Sequence, residues 1–259
     1  MTQINIALGM TREWQKYARV TVASILLNAS LKDDYKFYIM CDAFSQNDKI
    51  MFSKLSCIKD AEFEFIKMNN GEFDGAIHDW LGVSSSYRLK LSTLTKEDKI
   101  LYLDSDIVVL KDIKELYSHD VSNYYLAGIE DKCSSFMRNR VGLREGEVFI
   151  NGGVQLMNLD RFRKDNLEKV IFEKLRASSF YTDQDVINDV CRGRILSLPL
   201  KYNLMPVENA YLNRQQEYLE TLKDPFVLHF TEKPWANKNI KFANFWIRYN
   251  EYLEKFIDI

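Results

Sequence analysis

This sequence predicts an α/β fold: a mostly parallel, Rossmann-like sheet flanked by helices, with a less regular C-terminal half. Three observations carry that expectation. Strand-like apolar runs alternate with helix-length segments through the first half, which in one sheet requires parallel strands and right-handed crossovers. The run Ile100-Leu101-Tyr102-Leu103 is wholly apolar or aromatic, as a core strand is. The 259 residues include only four prolines and ten glycines, with no linker-like tract, low-complexity stretch or fixed-period repeat. One continuous domain over residues 1–259 is therefore expected, with a first half over 1–110, a second over 111–237 and a terminal helical segment over 238–259.

The elements follow in order. Ile4–Leu8 reads as a strand and Tyr17–Asn28 as a helix. Tyr35–Cys41 is a second strand. Ser45–Ser56 is a helix whose Ser45-x-x-Asp48 opening resembles a capping box. Glu62–Met68 alternates around Phe63 and Phe65, a strand with one wetter face, and a helix is expected over Ser84–Leu94 before the strand Lys99–Leu103. In the second half Tyr125–Ile129, Gly153–Asn158 and Phe226–His229 read as strands and Leu167–Ala177 as a helix. Thr182-x-x-Asp185 caps another helix running towards Val190. From Lys238 onwards Phe242, Phe245, Trp246, Tyr249, Leu253, Phe256 and Ile257 recur at three- and four-residue spacing, an amphipathic helix expected to close over the domain's own core. Four basic and three acidic residues between Lys238 and Ile259 make a poor membrane-docking face.

Composition excludes several classes. Hydrophobic residues at 46% and charged ones at 28% exclude a disordered chain. Thirty-five Lys+Arg against 37 Asp+Glu leave a formal charge of −2, which argues against a protein that grips nucleic acid through its overall field. Cys41, Cys57, Cys133 and Cys191 stand far apart with no Cys-x-x-Cys, so buried free thiols in a reducing compartment are expected rather than a zinc site or disulfide scaffold. No apolar run reaches the roughly 18–20 residues that a membrane span needs, and the chain opens on a strand without a signal-peptide core. A cytoplasmic location is expected, with at most peripheral contact at the inner face of a membrane.

The sharpest chemical feature is Leu103-Asp104-Ser105-Asp106-Ile107. Two carboxylates placed two apart in an extended segment point the same way, at the strand end where open parallel sheets bind ligands. Adjacent carboxylates repel and need a cation, which a hard divalent ion such as magnesium or manganese supplies. A solvated turn is the plainer alternative, but the apolar flanks place the segment in the core. Two enzyme classes use such a pair: haloacid-dehalogenase-like phosphatases, with Asp104 as the nucleophile, and nucleotide-sugar glycosyltransferases. The phosphatase pair normally stands on the first strand, and here three strand signals precede it, which favours the transferase.

The chain resembles glycosyltransferase family 8, the retaining enzymes of GT-A fold that include bacterial lipopolysaccharide galactosyl- and glucosyltransferases. Six motifs in order carry the resemblance: Ser86-Tyr87-Arg88-Leu89-Lys90-Leu91, Leu101-Tyr102-Leu103-Asp104-Ser105-Asp106, Phe149-Ile150-Asn151-Gly152-Gly153-Val154, Asp183-Gln184-Asp185 with Asn188, Tyr202-Asn203-Leu204-Met205-Pro206, and His229-Phe230 with Lys233-Pro234-Trp235. The resemblance implies a metal, manganese before magnesium, held by Asp104, Asp106 and His229. It implies a nucleotide-sugar donor, UDP-glucose or UDP-galactose, against Gly9, Thr11, Arg88, Lys90, Ser105, Gly153 and Lys233. Asn151, Asp183 and Gln184 would stand at the reacting sugar, and a glycan, glycolipid or glycoprotein would accept it. Arg88 and Lys90, two apart on a helix, do not share a face. Thr11 stands where an aspartate is common, and the His229-to-Lys233 segment is short and lacks the usual glycine. A lapsed, purely glycan-binding module is the non-enzymatic alternative; retention of the Asp pair, His229 and Lys233 together argues against decay.

Overall fold

Residues 2–77, 82–132, 134–207 and 211–257 are described by the structure, a computed structural model. Strand β1 (Gln3–Met10) leads through a 3-10 turn, Arg12–Trp14, into helix α1 (Gln15–Leu27), and β2 (Asp34–Cys41) follows. Helix α2 (Gln46–Ser53) opens on the expected capping box: the Asp48 N–H donates to the Ser45 hydroxyl, and the Ser45 N–H to the Asp48 carboxylate. Strand β3 (Glu62–Lys67) comes next. The helix expected over Ser84–Leu94 is a 3-10 segment, Val83–Lys90, with only α3 (Leu91–Leu94) α-helical. Three consecutive serines are weak helix formers, and the tighter winding buries Ser86, Tyr87, Arg88 and Leu89 in succession.

Strands β4 (Lys99–Leu103) and β5 (Ile107–Val109) flank the Asp pair. Beyond them lie α4 (Lys114–Tyr117), β6 (Leu126–Glu130), α5 (Ser134–Arg140) and β7 (Ile150–Asn158). Helices α6 (Leu159–Lys164), α7 (Leu167–Ala177) and α8 (Asp183–Val190) precede β8 (Ile195–Ser197), α9 (Gln215–Thr221), β9 (Val227–His229) and α10 (Ala243–Tyr252). Seven strands form one sheet in the order β3-β2-β1-β4-β7-β6-β8. Its first four strands are parallel, as the crossovers require, and β7 alone runs against both neighbours, β4 and β6. Strand β7 begins three residues earlier than its apolar pattern suggests, so Ile150, Asn151 and Gly152 join Gly153 in the sheet. Residues Ile4–Met10 of β1 are all buried, because both faces of the sheet are covered.

The C-terminal segment covers the core, as expected, though its α-helix starts only at Ala243, after Phe242 in a left-handed conformation. Trp246, Leu253 and Ile257 are buried, Tyr249 accepts a hydrogen bond at 2.8 Å from Asn28, the residue that follows α1, and Phe256 points outwards. Among the described residues no helix is long and apolar enough to cross a membrane. Cys41, Cys57 and Cys191 are free thiols; the first and last are buried as expected, but Cys57 is exposed, because it ends a surface 3-10 turn. Cys133 lies outside the described residues.

Candidate active site

The two aspartates do not sit in one extended strand. Asp104-Ser105-Asp106 is a turn between β4 and β5, where the chain leaves the large sheet for a two-stranded ladder of β5 and β9. Ladder register then decides the partner: Ile107 faces His229, and the Phe230 N–H donates to the Asp106 carbonyl at 3.0 Å. The imidazole Nε2 lies 3.3 Å from Asp106 Oδ1 and 3.7 Å from Asp104 Oδ2. One ligand atom from each of Asp104, Asp106 and His229 lies within 4.8 Å of the others. The sequence alone brought these three together only by resemblance; the antiparallel β5–β9 pairing does so physically.

This donor set fits a divalent cation: two carboxylate oxygens suit magnesium or manganese, and the imidazole nitrogen favours manganese of the two. Space is kept by Gly153, where a Cβ would lie 2.3 Å from His229 Cε1 and 2.8 Å from Asp104 Oδ2. The local charge points the same way. Burial opposes ionisation of Asp106, yet His229 and Lys233 outweigh it and hold its carboxyl below the usual range. Burial favours neutral His229, yet Asp106 and then Asp104 raise its affinity for a proton. The Lys233 ammonium thus supplies part of the positive charge that the paired carboxylates demand. Lys233 pairs with Asp106, donates to the Phe230 carbonyl at 2.9 Å and lies 5.3 Å from the Trp14 ring centre.

Beneath the turn, buried Arg88 ties the two halves of the site together. Its guanidinium donates to Asp183, to the Gly152 carbonyl at 2.7 Å and to Asp104 Oδ1 at 3.3 Å, and stacks over Tyr102. The Tyr102 hydroxyl, kept protonated by burial and by Asp104, donates to Asp104 Oδ1 at 2.9 Å. Lys90 does not join this cluster: the winding turns it to the opposite side, where it pairs with Glu72 and Glu168. Beyond Arg88, Gln184 accepts from the Gly152 N–H at 2.8 Å, and both Gln184 and Asn151 donate to Asp131, at 3.3 and 3.0 Å. The expected capping box of α8 is present: Asp185 N–H donates to Thr182 Oγ1 and Thr182 N–H to Asp185. It places Asp183 and Gln184 in the first turn, and Arg140 of α5 donates to buried Asp185.

A small cleft of about 160 Å³ opens above the Asp turn, lined by Gly9, Met10, Trp14, Ser84, Ser85, Asp104, Ser105 and Asp106. Gly9 is required here, because a Cβ would lie 2.8 Å from the Ser84 carbonyl oxygen. Thr11, just beyond, holds the N-cap position of the turn that presents Trp14, without a side-chain capping hydrogen bond. The residues that sequence reasoning did not assign are Tyr102, Trp14 and Asn203. A buried tyrosine whose hydroxyl needs a partner was a signal for the first; the others emerge only from tertiary contacts.

Comparison with known proteins agrees with this geometry. The glycosyl transferase family 8 profile matches residues 5–239. A putative glycosyltransferase of Haemophilus influenzae is 25% identical, over 99% of this chain and 80% of the relative. A lipopolysaccharide 1,2-glucosyltransferase of Escherichia coli is 24% identical, over 89% of this chain and 73% of its own length. The galactosyltransferase LgtC, crystallised with donor and acceptor sugar analogues, superposes with a TM-score of 0.80 at 21% identity, covering 97% of this chain and 95% of that one. The sheet, the Asp turn and the ordered motifs of this chain thus have one common explanation: it belongs to glycosyl transferase family 8, and is an enzyme, a hexosyltransferase with the GT-A fold.

Proposed function

We propose that this enzyme moves a hexose from a nucleotide-sugar, UDP-glucose or UDP-galactose, to a glycan, glycolipid or glycoprotein with retention of configuration, using a divalent metal, manganese before magnesium. The carrying observation is the convergence of Asp104, Asp106 and His229 at the sheet's carboxyl edge, with Lys233 beside them. Asp104, Asp106 and His229 would hold the metal, which when bound would offset charge on the leaving diphosphate. Lys233 exchanges Asp106 for a phosphate oxygen and donates to it as charge builds. Gly9, Ser105 and Trp14 line the nucleotide cleft, with Thr11 offering its hydroxyl to the base. Arg88 orients Asp183 towards sugar hydroxyls, and Asn151 and Gly153 line the sugar pocket. Lys90, bound to Glu72 and Glu168, supports the Arg88 segment rather than touching the donor.

Gln184 is an amide and a poor nucleophile. Asp183 is engaged by Arg88, and Asp131 accepts from Asn151 and Gln184. A same-face substitution fits these partners better than a covalent intermediate: the acceptor oxygen bonds to the anomeric carbon as the phosphate oxygen leaves. The acceptor's proton then passes to that leaving phosphate. A cleft of about 640 Å³, lined by Pro206, Tyr218, Phe230, Thr231, Glu232 and Asn239 among others, runs from the His229–Lys233 segment. Its mix of aromatic, amide and carboxyl groups suits the acceptor glycan.

The test is a nucleotide-sugar panel with manganese, reading nucleotide release by wild type and Asp106→Ala. A loss of about 10²–10³-fold in turnover is expected, the size typical of removing an electrostatic stabiliser. Metal-independent turnover, or equal turnover by the variant, sinks the reading.

A further inference from the structure

The His229 ring has two nitrogens, and only one faces the carboxylates. Nε2 is directed at Asp104 and Asp106, whereas Nδ1 lies 2.9 Å from Oδ1 of Asn203, whose side chain is fully buried. Which Asn203 atom faces the imidazole is decided elsewhere. The backbone N–H of Gly153, a donor that cannot reverse, gives its hydrogen to Asn151 Oδ1 at 2.9 Å. At the other end of that amide, Asn151 Nδ2 donates to the Asp131 carboxylate at 3.0 Å, and a carboxylate accepts. Asn151 is therefore locked, its Oδ1 turned towards Asn203. The Asn203 atom that meets it at 2.9 Å must be the donor Nδ2. That leaves Asn203 Oδ1, an obligate acceptor, against His229 Nδ1. Neutral His229 satisfies it only by carrying its hydrogen on Nδ1, 2.9 Å from that oxygen against 3.3 Å between Nε2 and Asp106 Oδ1, which leaves the Nε2 lone pair for a cation held by the aspartates.

We propose that Asn203 is a positioning residue that holds neutral His229 in its Nδ1–H tautomer, aiming the Nε2 lone pair at a cation bound by Asp104 and Asp106. Asn203 itself touches neither cation nor sugar. The same chain, Asp131–Asn151–Asn203–His229, joins the proposed sugar pocket to the metal ligand. The inference rests on the metal reading of the site for its purpose, but the tautomer has its own measurement.

Two readouts test it. Long-range ¹H–¹⁵N correlation on the metal-free wild type, at a pH high enough to leave the ring neutral, reports the tautomer directly; the chain has only three histidines. The expected pattern for His229 is Nδ1–H, and an Nε2–H pattern overturns the proposal. Manganese affinity, read from the free-ion electron paramagnetic resonance signal, is then compared among wild type, Asn203→Leu and Asn203→Asp. Asn203→Leu removes the acceptor at similar volume and should weaken binding by about 10–100-fold. Asn203→Asp keeps an acceptor towards Nδ1 but loses the donor to Asn151 Oδ1, so it should bind manganese more weakly than wild type yet more tightly than Asn203→Leu. A folded Asn203→Leu variant that binds manganese as wild type does refutes the assignment. If Asn203→Leu fails to fold, the wild-type tautomer decides. If wild type binds no manganese, the metal reading fails separately, while an Nδ1–H pattern still upholds the role of Asn203.

Discussion

Gly153 concentrates the site's geometry in one missing side chain. Its carbonyl accepts the Asp104 N–H at 2.9 Å, and its N–H is given to Asn151, so the backbone is held from both sides. A methyl group here cannot be relieved by sliding the strand; the His229 ring or Asp104 must move. Gly153→Ala is therefore expected to reduce manganese affinity and turnover together, each by roughly 10–100-fold, as displaced metal-site geometry does. Overpacking should lower unfolding stability by only about 1–3 kcal/mol. Calorimetric manganese titration beside thermal melting checks this, and unchanged affinity in the variant would refute the close-packing argument. Asp104 and Asp106 were legible in the sequence because charge is conspicuous inside an apolar run. Gly153 could be named only through family resemblance, because its work is to leave room beside a histidine 76 residues away in the chain.

Helix α8 shows how a local element positions chemistry. Thr182 and Asp185 cap it reciprocally, and the first turn carries Asp183, bound to Arg88, and Gln184, bound to the Gly152 N–H. Thr182→Ala removes a side-chain acceptor for the Asp185 N–H and should cost about 1 kcal/mol in chemical denaturation. Turnover should fall as well, since Asp183 and Gln184 lose their fixed origin, and Thr182→Ser should restore both. Full activity and stability in the alanine variant would show that the cap is incidental. Both capping boxes were readable because their signals span four residues. The 3-10 winding of Val83–Lys90 was not, since local sequence barely separates it from an α-helix and burial of Tyr87, Arg88 and Leu89 decides the matter. That winding also separates Arg88, facing Asp104 and Asp183, from Lys90, facing Glu72 and Glu168.

For the whole molecule, a net charge of −2 offers no global field to attract a diphosphate donor. Attraction must be local, between Lys233, the carboxylate-bound cation and the phosphates. Chelation should then abolish turnover, with recovery on adding manganese. Raising sodium chloride tenfold should change the donor KM by no more than about threefold, because partly buried charges are weakly screened. A steep salt response with little effect of chelator would reverse that picture. The C-terminal segment belongs to the same scale: Trp246 packs 5.3 Å from Trp235, which stacks on Tyr17 at 3.8 Å. The segment's apolar stripe is thus spent largely on the core beside the Lys-Pro-Trp motif.

The sequence by itself determined the α/β class, the parallel first half, both helix caps and the buried strand that ends in paired aspartates. Each of those rests on periodicity or on partners within a few residues. Only the tertiary structure decided the antiparallel β7, the β5–β9 ladder that sets His229 against Asp106, and the amide chain behind that histidine. Those contacts join residues more than a hundred positions apart in the case of Asp106 and His229, and strand register, which no local pattern encodes, chooses which side chains meet.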